Sequence, residues 1–221
     1  MARELREGVW WIDLGHVNAY LVEDDVLTLV DAGMPWHAGR LRREIEAVGQ
    51  DVSAIDRVLI THYDLDHVGG LGRLAELDAD VHVGERDADL VAGRRSPPLT
   101  NRKTAFQRVT DWLRRPPEGP ITPVSDGDQL GTFEAIHTPG HTMGHVAYAS
   151  GERDVAFVGD LVMSDGASLS SSPWYLSADT AAVSRSIERL VERSPEVGAI
   201  GPGHGEPLAE NGYAALEAAS R

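Results

Sequence analysis

Histidine and aspartate recur in this chain where short apolar runs give way to glycine, and that placement restricts the folds open to it. Residues 61–70 read Thr-His-Tyr-Asp-Leu-Asp-His-Val-Gly-Gly and follow the apolar run Val58-Leu59-Ile60. The same arrangement returns in Thr-Pro-Gly-His-Thr-Met-Gly-His (138–145), Phe-Val-Gly-Asp-Leu (157–161) and Gly-Pro-Gly-His-Gly (201–205). Each stretch reads as a strand end passing into a loop. A layered fold that gathers such loops would bring together four imidazoles and three carboxylates: His62, Asp64, Asp66, His67, His141, Asp160 and His204.

Four of the seven fall within six positions, 62–67. If the segment stays extended, side chains 62, 64 and 66 project to one side because strand periodicity is two. His67, one step out of phase, then reaches a second point nearby, which suits two adjacent metal ions better than one. The competing reading is a polar loop capping a helix, with Asp66 as N-cap and two surface histidines. Three further ligand-type residues in equivalent settings weigh against it.

The first third alternates strand signals at 9–12, 19–22 and 26–30 with a turn at Glu23-Asp24-Asp25. Residues 36–48 carry Leu41, Ile45 and Val48 at helical spacing, with Gly49 as C-cap. A strand at 57–61 precedes a helix expected over 70–77, where Leu71, Leu74 and Leu77 recur, and a strand at 80–83. Residues 85–120 break the pattern, being polar, arginine-rich and bounded by prolines, with Arg102, Lys103, Arg114 and Arg115 among them. Phe106, Val109, Trp112 and Leu113 predict one short amphipathic helix there. Strands follow at 132–137, 146–150 and 154–159, then a helix at 178–193, a strand at 197–201 and a terminal helix near 207–219. Strands then helix, twice over, imply an α/β chain: an αββα sandwich of two mixed sheets with helices on the outer faces. A chain of 221 residues suits one domain spanning 1–221.

Composition narrows the chemistry. With no cysteine, disulfides and thiolate metal sites are excluded. No run of 18 apolar residues reads as a membrane span, and the charged N-terminus lacks a secretory core, so no membrane association and a cytoplasmic location are expected. A formal charge of −15 argues against nucleic acid as a partner. Of the 20 basic residues only Lys103 is lysine, and an acidic, lysine-poor surface suits concentrated salt. A monomer or a homodimer fits this surface.

With these residues in view the chain resembles the metallo-β-lactamase superfamily of metallo-hydrolases. The resemblance covers Asp31-Ala-Gly33, the 62–67 cluster, His141, Asp160 and His204, in the family's order. It implies that His62, residue 64 and His141 hold a first metal, that Asp66, His67 and His204 hold a second, and that Asp160 bridges them. The family's usual motif is His-x-His-x-Asp-His, and Asp64 stands where its second histidine belongs. A third carboxylate cancels the net positive charge such a site otherwise keeps. It hardens the first site and moves preference from Zn²⁺ toward Fe or Mn, as in di-iron relatives that carry glutamate there.

The implied activity is metal-dependent hydrolysis. A hydroxide bridging two divalent ions, zinc first among the candidates, attacks a small-molecule ester, lactone, thioester or related substrate. Asp66 is the candidate to orient the nucleophile and carry a proton, and residues 85–120 would form a lid with Arg and Trp facing the substrate. The alternative for that segment is a solvated helix paired with acidic neighbours. The alternative activity is a non-haem iron or di-iron oxidoreductase of the same fold. His145 reads as a supporting rather than a ligating residue, and His16, His37, His82 and His137 as structural. Asp31 and Asp165 would either orient ligands or simply form turns. No Gly-x-Ser-x-Gly surrounds any serine, which discounts a serine nucleophile.

Overall fold

In a computed structural model, residues 1–99 and 102–221 are described, apart from the side chains of Arg102 and Phe106. The sequence readings that involve those two side chains lie outside the described residues. The first sheet contains β1 (Ala2–Arg6), β2 (Val9–Asp13), β3 (Asn18–Glu23), β4 (Leu27–Val30), β5 (Arg57–Ile60), β6 (Asp80–Gly84) and β7 (Ile121–Val124), in chain order. It is antiparallel from β1 to β4 and parallel from β4 to β7. The second sheet contains β8 (Gln129–Leu130), β9 (Phe133–His137), β10 (Val146–Ser150), β11 (Val155–Gly159) and β14 (Ala199–Pro202), in the order β14-β11-β10-β9-β8. Only its β11–β14 pair is parallel, so both sheets are mixed. β12 (Val162–Ser164) and β13 (Leu169–Ser171) form a separate hairpin.

Side-chain alternation builds the layers. Along β5, Leu59 faces Tyr20, Phe133, Tyr148 and Phe157 between the sheets, whereas Val58 and Ile60 join the outer cluster with Leu41 and Ile45. Those last two lie on α1 (Ala38–Ala47). On the opposite outer face, Val183, Ile187 and Leu190 of α5 (Thr180–Arg193) and Leu216 of α6 (Gly212–Ala219) cover the second sheet. Asp179 caps α5 by accepting from the Ala182 amide at 3.0 Å. The order helix, sheet, sheet, helix is the expected sandwich. Tyr148 ties its layers together by donating to the Ile60 carbonyl at 3.0 Å.

Three local expectations are corrected. Residues 70–77 are not a helix; they hold one 3₁₀ turn, Leu71–Arg73, although Leu71, Leu74 and Leu77 are all buried. The backbone here is pressed against other segments: a side chain on Gly70 would meet the Ala32 carbonyl, and one on Gly72 the carbonyls of Arg115 and Pro116. The leucine spacing therefore records core contact without helical continuity. A helix at the start of the irregular region, α3 (Glu85–Val91), buries Ala88, Leu90 and Val91 in the first-sheet cluster. Finally, β1 was invisible as a strand because Ala-Arg-Glu-Leu-Arg occupies an exposed sheet edge, where charge replaces apolar alternation.

Candidate metal centre

Strand ends deliver several of the predicted residues. Asp31 follows β4 with a positive φ of 56°, and His62 follows β5 by two residues. Asp160 follows β11, and His204 lies two residues beyond β14. His141 sits in the loop between β9 and β10. The 62–67 cluster works differently from the strand-alternation argument. β5 ends at Ile60, Asp64 occupies the N-cap position, and α2 (Leu65–Val68) carries Asp66 and His67 on one helical turn. Asp66 is therefore not the N-cap, and Asp64 makes no side-chain capping bond.

All seven side chains meet. His62, Asp64 and His141 form one group and Asp66, His67 and His204 another, each with its ligand-type atoms within 4.8 Å of one another. His141 Nε2 lies 3.1 Å and His62 Nε2 3.5 Å from Asp64 Oδ2. His204 Nε2 lies 3.3 Å from Asp66 Oδ2. Asp160 stands between the groups, with Oδ1 3.4 Å from His67 Nε2 and Oδ2 3.3 Å from His141 Nε2 and 3.2 Å from His204 Nε2.

Each of the four imidazoles is held from behind through Nδ1. His67 is hydrogen-bonded to Asp31 Oδ2 at 2.7 Å, His62 to Thr61 Oγ1 at 3.0 Å and His141 to Ser172 Oγ at 3.1 Å. His204 Nδ1 bonds the His16 carbonyl. Fixing Nδ1 leaves Nε2 directed inward, the arrangement in which an outer partner sets ring orientation and tautomer. Asp31 also accepts from the Thr61 amide and hydroxyl at 2.9 and 2.7 Å, so it orients residues at the site rather than forming a simple turn. Asp165 instead accepts from Ala167 and Ser168 within its own loop, which is the turn role. His145 bonds Thr138 Oγ1 at 2.8 Å and stacks on His62 with centroids 5.2 Å apart.

The electrostatics follow from burial and crowding. Burial, reinforced by the neighbouring His67, lowers the His62 pKa to about 4. Burial also opposes charge on His67, but Asp31, Asp160 and Asp66 outweigh it and hold that ring well above the usual range. His204 rises to about 10 because its bond to Asp160 overcomes desolvation. Desolvation pushes Asp64 upward, yet the Lys103 ammonium and His62 bring it well below the ordinary carboxylate range.

A cation fits this donor set. His62 Nε2, His67 Nε2 and Asp160 Oδ1 are buried and have no hydrogen-bond partner among the described residues. Such orphaned polar atoms are costly unless something else satisfies them. Imidazole nitrogen and carboxylate oxygen are suited to divalent zinc, iron or manganese.

A cleft of about 650 Å³ opens beside the cluster, within the usual range for small-molecule sites. Met34, Trp36, Leu65, Leu113, Tyr175 and Leu176 give it apolar walls, while Asp64, Asp66, His141, Asp160 and His204 reach its floor. Lys103, Gln107 and Thr110 of α4 (Arg102–Thr110) complete the lining. Of the arginines near this region, Arg94 pairs with Asp89 at 2.7 Å and Arg114 with Asp111 at 2.8 Å, as the acidic-neighbour alternative expects.

Sequence reasoning missed three groups. Asp87, buried on α3, accepts from the Thr142 hydroxyl at 2.9 Å and the Tyr63 amide at 3.2 Å. Lys103 and Gln107 both contact Asp64. The single lysine was a usable signal for one of them; nothing distinguished Asp87 or Gln107 from ordinary helix surface.

The comparisons identify the family. A family model described as the metallo-beta-lactamase superfamily matches residues 12–204. The chain is 26% identical over 235 residues to the probable metallo-hydrolase YflN of Bacillus subtilis, covering 93% of this chain and 86% of YflN. It is 31% identical over 157 residues to the hydroxyacylglutathione hydrolase GloC of Haemophilus influenzae, covering 67% of this chain and 68% of GloC. Among solved structures, TTHA1623 in a di-iron-bound form superposes with a TM-score of 0.69 at 30% identity, covering 93% of each chain. The chain belongs to the metallo-beta-lactamase superfamily and is an enzyme of its metallo-hydrolase kind.

Proposed function

We propose that this enzyme hydrolyses a small-molecule ester, lactone or thioester at a dinuclear metal centre. His62, Asp64 and His141 would hold one ion, Asp66, His67 and His204 the other, and Asp160 would lie between them. A pair of divalent ions supplies Lewis-acid polarisation of a carbonyl and a water that ionises near neutral pH. The chain's own residues do the rest. Asp66, on the cleft floor beside His204, is placed to hold a water and accept its proton. Trp36, Tyr175 and Leu176 offer apolar surface to an acyl or aromatic group. We assign residues 85–120 the part of a lid within a single domain, because Lys103, Gln107, Thr110 and Leu113 reach the cleft from it.

The observation that carries this reading is the convergence of unpartnered His62 Nε2, His67 Nε2 and Asp160 Oδ1 beside an apolar cleft. The acidic surface favours a small molecule over nucleic acid, and no helix among the described residues is long and apolar enough to cross a membrane. Zinc is the first candidate for both positions. The test is metal analysis of protein purified without chelator, followed by a panel of esters, lactones and thioesters. Two equivalents of metal with turnover support the proposal; a metal-replete protein inert on all three classes overturns it.

A second reading rests on Asp64 and on the di-iron form of TTHA1623. A harder first site favours iron, and the chain would then serve redox chemistry with electrons from a partner. Iron content together with oxygen consumption selects this reading.

A further inference from the structure

Asp64 is gripped at both oxygens by one helix. Lys103 Nζ lies 2.9 Å from Oδ2, and Gln107 Nε2 donates to Oδ1. Lys103 and Gln107 are one turn apart on α4 and so project from the same face. Gln107 is itself held by the Tyr63 hydroxyl. Oδ2 is also the oxygen that faces His141 Nε2 at 3.1 Å and His62 Nε2 at 3.5 Å. The Lys103 side chain is 8% exposed, and Asp64 is the only ion-pair partner of its ammonium among the described residues. A cation among His62, Asp64 and His141 must therefore share Oδ2 with an ammonium in a poorly solvated setting.

The geometry points to Lys103 as a built-in counter-cation that weakens the first metal position, so that the two positions fill unequally and the Asp66, His67 and His204 side fills first. The physical reason is charge. Asp64 adds a negative charge that a histidine would not, and Lys103 offsets it at the same oxygen. A fixed positive charge close to a cation site lowers cation affinity, the more so where water is scarce. Lys103 thus positions and neutralises a ligand; it is not assigned a part in bond making. The inference rests on the dinuclear reading above.

The test is Zn²⁺ titration of metal-free protein by calorimetry, with stoichiometry checked by elemental analysis, on the wild type, K103M and K103Q. The expected wild-type result is one tight and one weak equivalent. In K103M the weak equivalent tightens at least tenfold while the tight one stays within threefold. K103Q, which keeps a donor but no charge, should follow K103M and provides the answer if K103M does not fold. D64H alone strands the ammonium beside the cations and should bind the second equivalent more weakly than D64H/K103M. Equal wild-type affinities, or weak-site affinities unchanged in both lysine variants, overturn the counter-cation while leaving a dinuclear centre intact. A wild type that binds no metal overturns both readings.

Discussion

Asp31 Oδ2 lies 2.7 Å from His67 Nδ1, and the same oxygen accepts from the Thr61 hydroxyl at 2.7 Å. One carboxylate at the end of β4 thus braces the ring on α2 and the turn that leads to His62. Buried at 3% exposure, it does this where a misplaced ring could not be rescued by water. D31A should lower metal affinity about 10- to 100-fold, the usual cost of losing an outer partner of a ligating histidine. D31N, which keeps the shape and one acceptor, should cost less. Competition titration with a chromogenic chelator measures both, and equal affinities in all three proteins would refute the bracing role.

Asp160 approaches both groups, with His141 Nε2 at 3.3 Å on one side and His67 Nε2 at 3.4 Å and His204 Nε2 at 3.2 Å on the other. D160A should drop metal content from two equivalents to one or none. Hydrolysis should fall roughly a hundredfold or more, as when a single electrostatic contact to a reacting centre is lost. Elemental analysis decides the first point, and unchanged stoichiometry rules out the bridge.

Removing metal should matter for stability as well as activity. Seven converging ligand-type groups, three of them with orphaned atoms, form a site that a bound cation relieves. Binding to the folded state alone at a thousand times Kd contributes about 4 kcal/mol. Chelation should therefore lower the melting temperature by several degrees, and zinc or iron should restore it. A melting curve indifferent to chelator would contradict a ligated centre.

Asp87 carries a pH signature that can be isolated. Burial, against the partly offsetting bond from Thr142, raises its pKa from 3.8 to about 7. Its folded pKa lies above its unfolded one, so its contribution to stability is full below about pH 4 and is lost as pH rises through 7. Over that window the loss is on the order of 2 to 4 kcal/mol. Metal-free D87N, which cannot ionise there, should gain stability relative to metal-free wild type between pH 5 and pH 8. Urea unfolding of the two proteins across this range supplies the comparison; parallel pH curves would mean that the fold does not raise the Asp87 pKa above its unfolded value.

What the chain declares by itself is the chemistry and the layering. His62, Asp64, Asp66, His67, His141, Asp160 and His204 stood out because ligand-type residues beside glycine follow apolar runs, and β5, β11 and β14 are legible as short runs that the fold buries from Val58 onward in β5 and throughout in the other two. In the uniformly apolar run Val58-Leu59-Ile60, only the fold shows that Leu59 faces the other sheet and Val58 and Ile60 the helices. Tertiary structure decided what periodicity could not carry. Residues 65–68 turn into a helix, so Asp66 and His67 reach the centre by a helical turn and not by strand alternation. Gly70 and Gly72 bring backbone against backbone, and the leucines at 71, 74 and 77 fill the core without a helix. Above all, the meeting of Lys103 with Asp64 joins residues 39 positions apart through the placement of α4. Spacing reports which face a side chain shares with its neighbours in sequence; whether an ammonium and a carboxylate end up on one buried oxygen depends on how distant segments dock, and only the folded chain determines that.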